Sequence, residues 1–301
     1  MKTDYHLERP VAQLAVWTPI FNLLDGLLKD LGLRPNPTSS FRVFAHTDRS
    51  KTPSGSLYLM QMHLAGLYSV DTSGWGVHHS LCADRAWENE PLLKALAFCH
   101  ELASEWCTTG ASKNQQPALA PPEWSDYVLV PLQIPDDCVV TDHSPVSVQE
   151  FVRQVSTWSA ETRTRVLMKV HPGHLSRGPE AALWATEAAK ASPYLKITSG
   201  NIHSLIARCR AVLVINSGVG FEALVHGKPV ITIGRCDYDH VTTHGTLQTL
   251  PMSLEHALST SPTDGFRFAY HYLFSRCYWP SRDPHVCDRL KRYLSAVVAC
   301  S

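Results

Sequence analysis

The chain has 301 residues, of which 44% are apolar and 18% charged, and its 27 basic side chains are balanced by 27 acidic ones. That is the composition of a folded globular protein with a formal charge of zero, so no general field grips nucleic acid or an anionic surface, and any anionic ligand must be held by a few local groups. The nine cysteines lie singly between Cys82 and Cys300 without a CxxC pair, and the sixteen histidines form no HExxH pattern, which argues against a disulfide framework and a metal site. No basic-then-apolar leader opens the chain and no run reaches the roughly 20 apolar residues that span a bilayer, so a cytoplasmic protein with reduced thiols is expected.

Val11 to Leu31 has helical apolar spacing broken by Pro19, which predicts a helix pair stopped by Gly32, Pro35 and Pro37. Phe41 to Ala45 reads as a strand, and Leu57 to Tyr68 as a buried element leading into Asp71-Thr72-Ser73-Gly74-Trp75-Gly76-Val77-His78-His79-Ser80. That loop has the composition of a polyol-binding surface or of a well-packed structural turn. Glu90 to Trp106 predicts an amphipathic helix. Residues 108–122 then lose periodicity and gather Pro, Gly, Ser and Gln, which places a domain boundary there. The expected division is residues 1–120, residues 121–265, and a C-terminal segment 266–301 that crosses back to the first domain.

The second half alternates strand and helix: strand 127–132, helix 148–158, strand 165–170, helix 179–191, helix 201–208, strand 211–215, helix 219–225, strand 229–233. Such alternation predicts a doubly wound parallel sheet, whose ligands collect beyond the carboxyl ends of the strands. The polar groups fall there. Gln133 and the pair Asp136-Asp137 follow the first strand, Lys169, His171 and Pro172 the second, and Asn216, Ser217 and Gly218 the third. Lys169 and His171 alternate onto one face, where a cation and an imidazole suit a phosphate. Asp136 or Asp137 suits a base or a nucleophile at an anomeric carbon, with a solvated turn as the competing account. Ser199 and Asn201 precede one helix N-terminus and Ser217 another, positions that serve either as caps or as anion sites. Glu222 suits ribose hydroxyls or the helix dipole.

Five motifs in order, PLQIPDD at 131–137, HSPV at 143–146, MKVHP at 168–172, SGNIHSLIARC at 199–209 and INSGVGFEALVHGKPVITIGRCDYD at 215–239, carry a family resemblance. Over about residues 125–245 the chain resembles the bacterial capsule-polysaccharide β-Kdo transferases and the related Kdo transferase modules of O-antigen synthesis. The resemblance implies an α/β GT-B fold of two Rossmann-like domains facing a central cleft. It also implies CMP-β-Kdo as donor, transfer with retention to a saccharide or glycolipid acceptor, and no metal cofactor. By the Q-x-x-x-D motif Asp137 becomes the nucleophile beside Gln133; Lys169, His171 and Pro172 become the phosphate and leaving-group contacts. Ser199, Asn201, Ser204, Asn216, Ser217, Gly218, Gly220 and Glu222 would surround the nucleoside. His46, Asp48, Arg49 and Lys51 are alternative partners for the sugar carboxylate or the acceptor. A lipid-linked acceptor would bring the protein to the inner-membrane face. The alternatives are an inverting, sialyl-type CMP-sugar transferase, a GT-B epimerase or hydrolase, and a non-catalytic saccharide- or nucleotide-binding partner in capsule assembly.

Overall fold

A computed structural model of the chain describes residues 2–10, 14–47, 49–53, 55–173 and 177–299. It divides into two compact units, residues 1–84 with 272–301 and residues 85–271.

In the first unit a six-stranded sheet forms from β1 (Asp4–Glu8), β2 (Arg34–Pro35), β3 (Arg42–Ala45), β4 (Leu57–Gln61), β5 (Tyr68–Asp71) and β12 (Cys277–Tyr278), in the order β12-β5-β4-β3-β1-β2. The central pairings are parallel, while β4-β5 is an antiparallel hairpin and β12 runs antiparallel to β5. The single buried element expected over 57–68 is thus two strands. The helix pair is also corrected, because α1 (Leu14–Asp30) is one helix with Pro19 inside it. Proline removes only one backbone donor there, and the stripe Ile20, Phe21, Leu24 and Leu28, each fully buried, outweighs that loss. Residues 11–13 of the predicted helix lie outside the described residues, as does Asp48. The C-terminal helix α10 (Val286–Ala299) contributes Leu290 and Leu294 to the same core as Phe21 and Val43.

The loop after β5 turns its polar groups inward. Asp71 is buried and accepts from the backbone N–H of Ser73 at 2.7 Å and of Ser80 at 3.3 Å, while the Ser80 hydroxyl donates to its second oxygen at 2.5 Å. Trp75 Nε1 donates to the carbonyl of Thr47 at 2.9 Å.

The second unit holds the parallel sheet. It is built from β6 (Val128–Pro131), β7 (Val166–Lys169), β8 (Leu195–Thr198), β9 (Ala211–Val214), β10 (Val230–Thr232) and β11 (Thr243–His244), in the order β11-β10-β9-β6-β7-β8. All five pairings are parallel. The chain winds outward from β6 through β7 to β8, then returns to the other side of β6 with β9. The topological switch point therefore lies between β6 and β9. Helices α4 (Val148–Thr162), α5 (Pro179–Ala191) and α8 (Leu250–Ser259) supply apolar side chains to a core around Val128, Val130, Met168 and Leu213.

The division between units falls before α2 (Leu92–Thr109) and not in the stretch 108–122. The face of α2 formed by Ala95, Cys99, Leu102 and Trp106 is buried, and it packs against α9 (Thr263–His271), α6 (Ile202–Arg208) and α7 (Gly218–Val225) of the second unit. The aperiodic stretch that follows stays on that unit as well. Among the described residues no helix is long and apolar enough to cross a membrane.

Candidate active site

The site is assembled where β6 and β9 end. Gln133 Nε2 donates to Asn216 Oδ1 at 2.9 Å, and Gln133 Oε1 accepts from the Asn216 backbone N–H at 3.2 Å. Asn216 Nδ2 in turn donates to the carbonyls of Val139 at 2.5 Å and Arg235 at 3.3 Å. Both side chains are buried. One reciprocal amide pair thus ties the ends of β6, β9 and β10 to α3 (Cys138–Thr141), and neither side chain needs a ligand to satisfy its hydrogen bonds.

Asp137 is the N-cap of α3, its Oδ1 accepting from the Val139 N–H at 3.2 Å. It is half-buried, whereas Asp136 beside it is exposed. The turn before them is fixed by close packing. Gly178 has φ +74°, and a Cβ there would lie 2.6 Å from Pro135 Cδ, so only glycine lets α5 begin against that turn.

Lys169 ends β7 and is buried, its Nζ donating to the carbonyl of Val170 at 3.5 Å. Burial pushes its ammonium down to about 8, opposed by Glu222. Two residues on, His171 is half-buried and its Nδ1 accepts from the Gly173 N–H at 3.0 Å, across the exposed Pro172. With Nδ1 accepting, Nε2 is the protonated nitrogen of the neutral ring and is the one that can donate to a ligand.

The third strand end leads into α7. Ser217 caps it, accepting from Val219 N–H at 3.3 Å, and Gly218 is exposed at the first helical position. Gly220 answers a packing demand: a Cβ there would stand 2.3 Å from Tyr238 Oη, and that buried phenol donates to the Ser217 carbonyl. Glu222 is 5% exposed. Its Oε1 accepts from Ser112 Oγ at 3.4 Å, and its Oε2 is buried with no hydrogen-bond partner among the described residues. Burial pushes this carboxyl up to about 8, against the opposing pull of Ser112, Lys169 and Lys113.

Ser112 and Lys113 were not legible as site residues. They belong to the stretch expected to hold the domain boundary, whose polar run Ser112-Lys113-Asn114-Gln115-Gln116 is the signal available. Desolvation lowers the Lys113 ammonium from its ordinary value, and the nearby charges of Asp137 and then Glu222 oppose it. Asp137 thus bears on Lys113, and Lys113 and Lys169 bear on the Glu222 carboxyl, in one chain of electrostatic influence.

The remaining candidates stand aside from that chain. Ser199 is exposed beyond β8, the edge strand of the sheet. Asn201 is buried and caps α6 through the His203 N–H at 3.0 Å, while its Nδ2 donates to the carbonyls of Gly110 at 3.2 Å and Pro117 at 3.0 Å. Its polar atoms thus all have protein partners. Ser204, in the first turn of α6, is half-buried. Behind it His203 Nδ1 meets His226 Nε2 at 3.1 Å, the rings stacked near Trp106, and burial pushes these imidazoles down to about 4 and about 3.

Comparison with known proteins places this geometry in a family setting. Residues 84–261 match the family model for capsule polysaccharide biosynthesis protein. A stretch of 122 residues is 37% identical to Protein FixF of Sinorhizobium fredii (strain NBRC 101917 / NGR234), covering 38% of this chain and 27% of FixF. The fold matches two solved chains of Thermosulfurimonas dismutans KpsC. The beta Kdo 2,4 transferase superposes with a TM-score of 0.62 at 14% identity over 98% of each chain. The beta Kdo 2,7 transferase gives 0.55 at 16% identity over 98% of this chain and 99% of that one. At those identities the likeness is one of fold, and the expected GT-B-type glycosyltransferase fold is borne out. The chain spans about a quarter to a third of the length of the curated relatives it matches.

Proposed function

This chain belongs to the capsule polysaccharide biosynthesis protein family, and from that premise we propose that it is a retaining β-Kdo transferase. It moves Kdo from CMP-β-Kdo to a saccharide or glycolipid acceptor of a bacterial surface polysaccharide, working in the cytoplasm at the inner-membrane face. The observation that carries this reading is the placement of Asp137, held as the N-cap of α3 just beyond the end of β6, while Lys169 ends the neighbouring strand β7 with His171 two residues on.

Asp137 supplies the nucleophile. Its carboxylate oxygen bonds to the anomeric carbon of Kdo while the bond from that carbon to the phosphate oxygen breaks, and the electron pair leaves with CMP. Lys169 and the Nε2–H of His171 hold the departing phosphate, and the amides opening α7 add to that field. An acceptor hydroxyl then attacks the same carbon from the vacated side. The bond to Asp137 breaks, its carboxylate regains the electron pair, and the hydroxyl proton passes to the phosphate dianion of CMP. Two inversions give net retention. Gln133 and Asn216 act as positioning residues through α3, while Glu222 and Ser204 lie on the side assigned to the ribose. The charge is carried by these side chains and amides, with no divalent ion in the scheme.

Intact-protein mass spectrometry after mixing with CMP-Kdo generated in situ tests this. An increment of one Kdo residue that is lost in Asp137→Ala is the expected result. CMP release without an adduct in the unchanged protein, together with an inverted product, would replace it with single displacement and make Asp137 a base.

A further inference from the structure

Resting on the assignment of Glu222 to the ribose, we propose that Ser112 stands in for a ribose hydroxyl, occupying the Glu222 carboxyl in the free protein and giving way to the vicinal diol of the nucleotide when the donor binds. Glu222 lies in α7, the helix entered from β9 at the switch point, and is buried. Among the described residues its carboxyl has one hydrogen bond, from Ser112 Oγ to Oε1 at 3.4 Å. A hydroxyl usually approaches an oxygen to about 2.7–2.8 Å, so this contact is weak. The second oxygen, Oε2, is buried and has no hydrogen-bond partner among the described residues. A buried carboxyl answered this poorly favours a ligand that answers it better.

The chemistry of the carboxyl selects the ligand. Burial holds Glu222 neutral up to about 8, so one oxygen accepts and the other carries a proton to donate. With Ser112 donating to Oε1, the proton belongs to Oε2. A phosphate or a carboxylate offers acceptors alone and leaves Oε1 without a donor. Two neighbouring hydroxyls each donate and accept, so a vicinal diol answers both oxygens at once, which the single hydroxyl of Ser112 does not. Oε2 is also closed off from solvent; a diol reaches it by displacing a group that now touches the carboxyl, and Ser112 is the hydrogen-bonded one.

The loop that carries Ser112 allows the exchange to stay local. Asn201 Nδ2 grips the carbonyls of Gly110 and Pro117 at 3.2 and 3.0 Å, and Gln116 Oε1 accepts from the Ile202 N–H at 3.3 Å. Gly110 has φ +68°, and a Cβ there would lie 2.8 Å from Asn201 Nδ2, so the entry to the loop admits no larger residue. These ties fix both ends of the stretch 110–117 against α6, and Ser112 lies between them, half-buried. Its departure from Glu222 breaks one long hydrogen bond and leaves the clamp in place. The loop, α6 and α7 all belong to the second unit, so the exchange needs no movement of one unit against the other.

Calorimetric titration of CMP and of 2′,3′-dideoxy-CMP, which keeps base and phosphate but lacks the diol, tests the exchange in the unchanged protein and in Ser112→Ala. The unchanged protein should bind CMP about tenfold more tightly than the dideoxy nucleotide. The Ser112 hydrogen bond opposes CMP binding because it exists only in the free state, so its removal should lower the CMP Kd about three- to tenfold. The dideoxy nucleotide leaves Ser112 in place, and its Kd should stay within about twofold, which also reports that the variant is folded. A weaker CMP Kd in Ser112→Ala would make Ser112 a group that orients Glu222 in the complex, and an unaltered one would make it a bystander; either overturns the exchange. Equal tightening of both nucleotides would overturn it as well, since the loop would then be a general cover. If the unchanged protein binds the two nucleotides equally, the ribose assignment fails, and if it binds neither, the donor assignment fails; the exchange falls with either.

Discussion

Asp71 and Glu222 are both buried carboxylates, 3% and 5% exposed, one in each unit of the chain. Asp71 accepts three hydrogen bonds, all from Ser73 and Ser80 of its own loop. Glu222 accepts one long hydrogen bond from a residue 110 positions away, leaves its second oxygen without a hydrogen-bond partner among the described residues, and has two lysines for neighbours. A charge fully answered by its own loop closes a turn. A carboxyl answered only in part, by groups brought from distant segments, has hydrogen-bonding capacity left over. The contrast also bears on the two loops, since the one rich in Trp, His and Ser answers Asp71 from within and the stretch expected to hold the domain boundary carries Ser112, the partner of Glu222.

The largest expected effect belongs to the first carboxylate. Asp71→Ala leaves two backbone amides and a hydroxyl in a buried loop without their acceptor, and should cost about 3–5 kcal/mol of unfolding free energy. Chemical denaturation measures it directly. A loss below about 1 kcal/mol would show that the loop finds other acceptors, and would remove the basis for calling Asp71 a purely structural charge.

How much of this was legible beforehand depends on the range of the interactions. Strands β6, β7, β9 and β10 are near-continuous apolar runs because a parallel sheet is buried on both faces, and that pattern is local. So are the Ser217 cap and the sharp stop at Gly227. Strands β1 and β8 went unread because their side chains are mostly half-buried and alternate poorly. What makes Gln133 and Asn216 a brace is a pairing across 83 residues, and what fixes Lys113 is a clamp of Asn201 on carbonyls 84 and 91 residues away. Such hydrogen bonds leave no periodic trace. The motif resemblance points to the carboxyl ends of these strands, but does not separate residues that could meet a ligand from those, such as Gln133 and Asn216, that brace the strand ends.

The second effect is smaller and sets the other carboxylate against the first. The folded chain keeps the Glu222 proton up to about 8, whereas an unfolded chain releases it near 4.5. Between those values the unfolded state gains on the folded one as pH rises, by at most about 1.4 kcal/mol per pH unit. Glu222→Gln retains an acceptor for Ser112 and removes the titration. It should equal the unchanged protein in stability near pH 4.5 and exceed it by about 2–4 kcal/mol at pH 8. Lys169 does not disturb this window, because it is charged in both states below about 8. Equal pH profiles for the two proteins would mean that the Glu222 titration does not differ between the folded and unfolded chain, and the distinction between the carboxylates would be lost.

The smallest effect links that titration to the ligand. Near pH 7 the pair stands with Glu222 neutral and Lys169 charged, the state that favours an anion; as pH passes about 8 Glu222 gains a negative charge and Lys169 loses its positive one. Both changes oppose the phosphate of CMP, whose own second ionisation near pH 6 is complete before the window opens. The Kd for CMP, followed by calorimetry, should therefore rise about tenfold between pH 7 and pH 9, corresponding to about 1.4 kcal/mol. In Glu222→Gln only the lysine still titrates, and the rise should shrink to about threefold. A Kd that ignores pH would place the phosphate away from Lys169, whereas a rise of equal size in both proteins would assign the whole effect to the lysine and leave Glu222 a bystander. The intermediate outcome is the one in which the incompletely answered carboxylate, held neutral by its burial, keeps the crevice open to a negatively charged nucleotide.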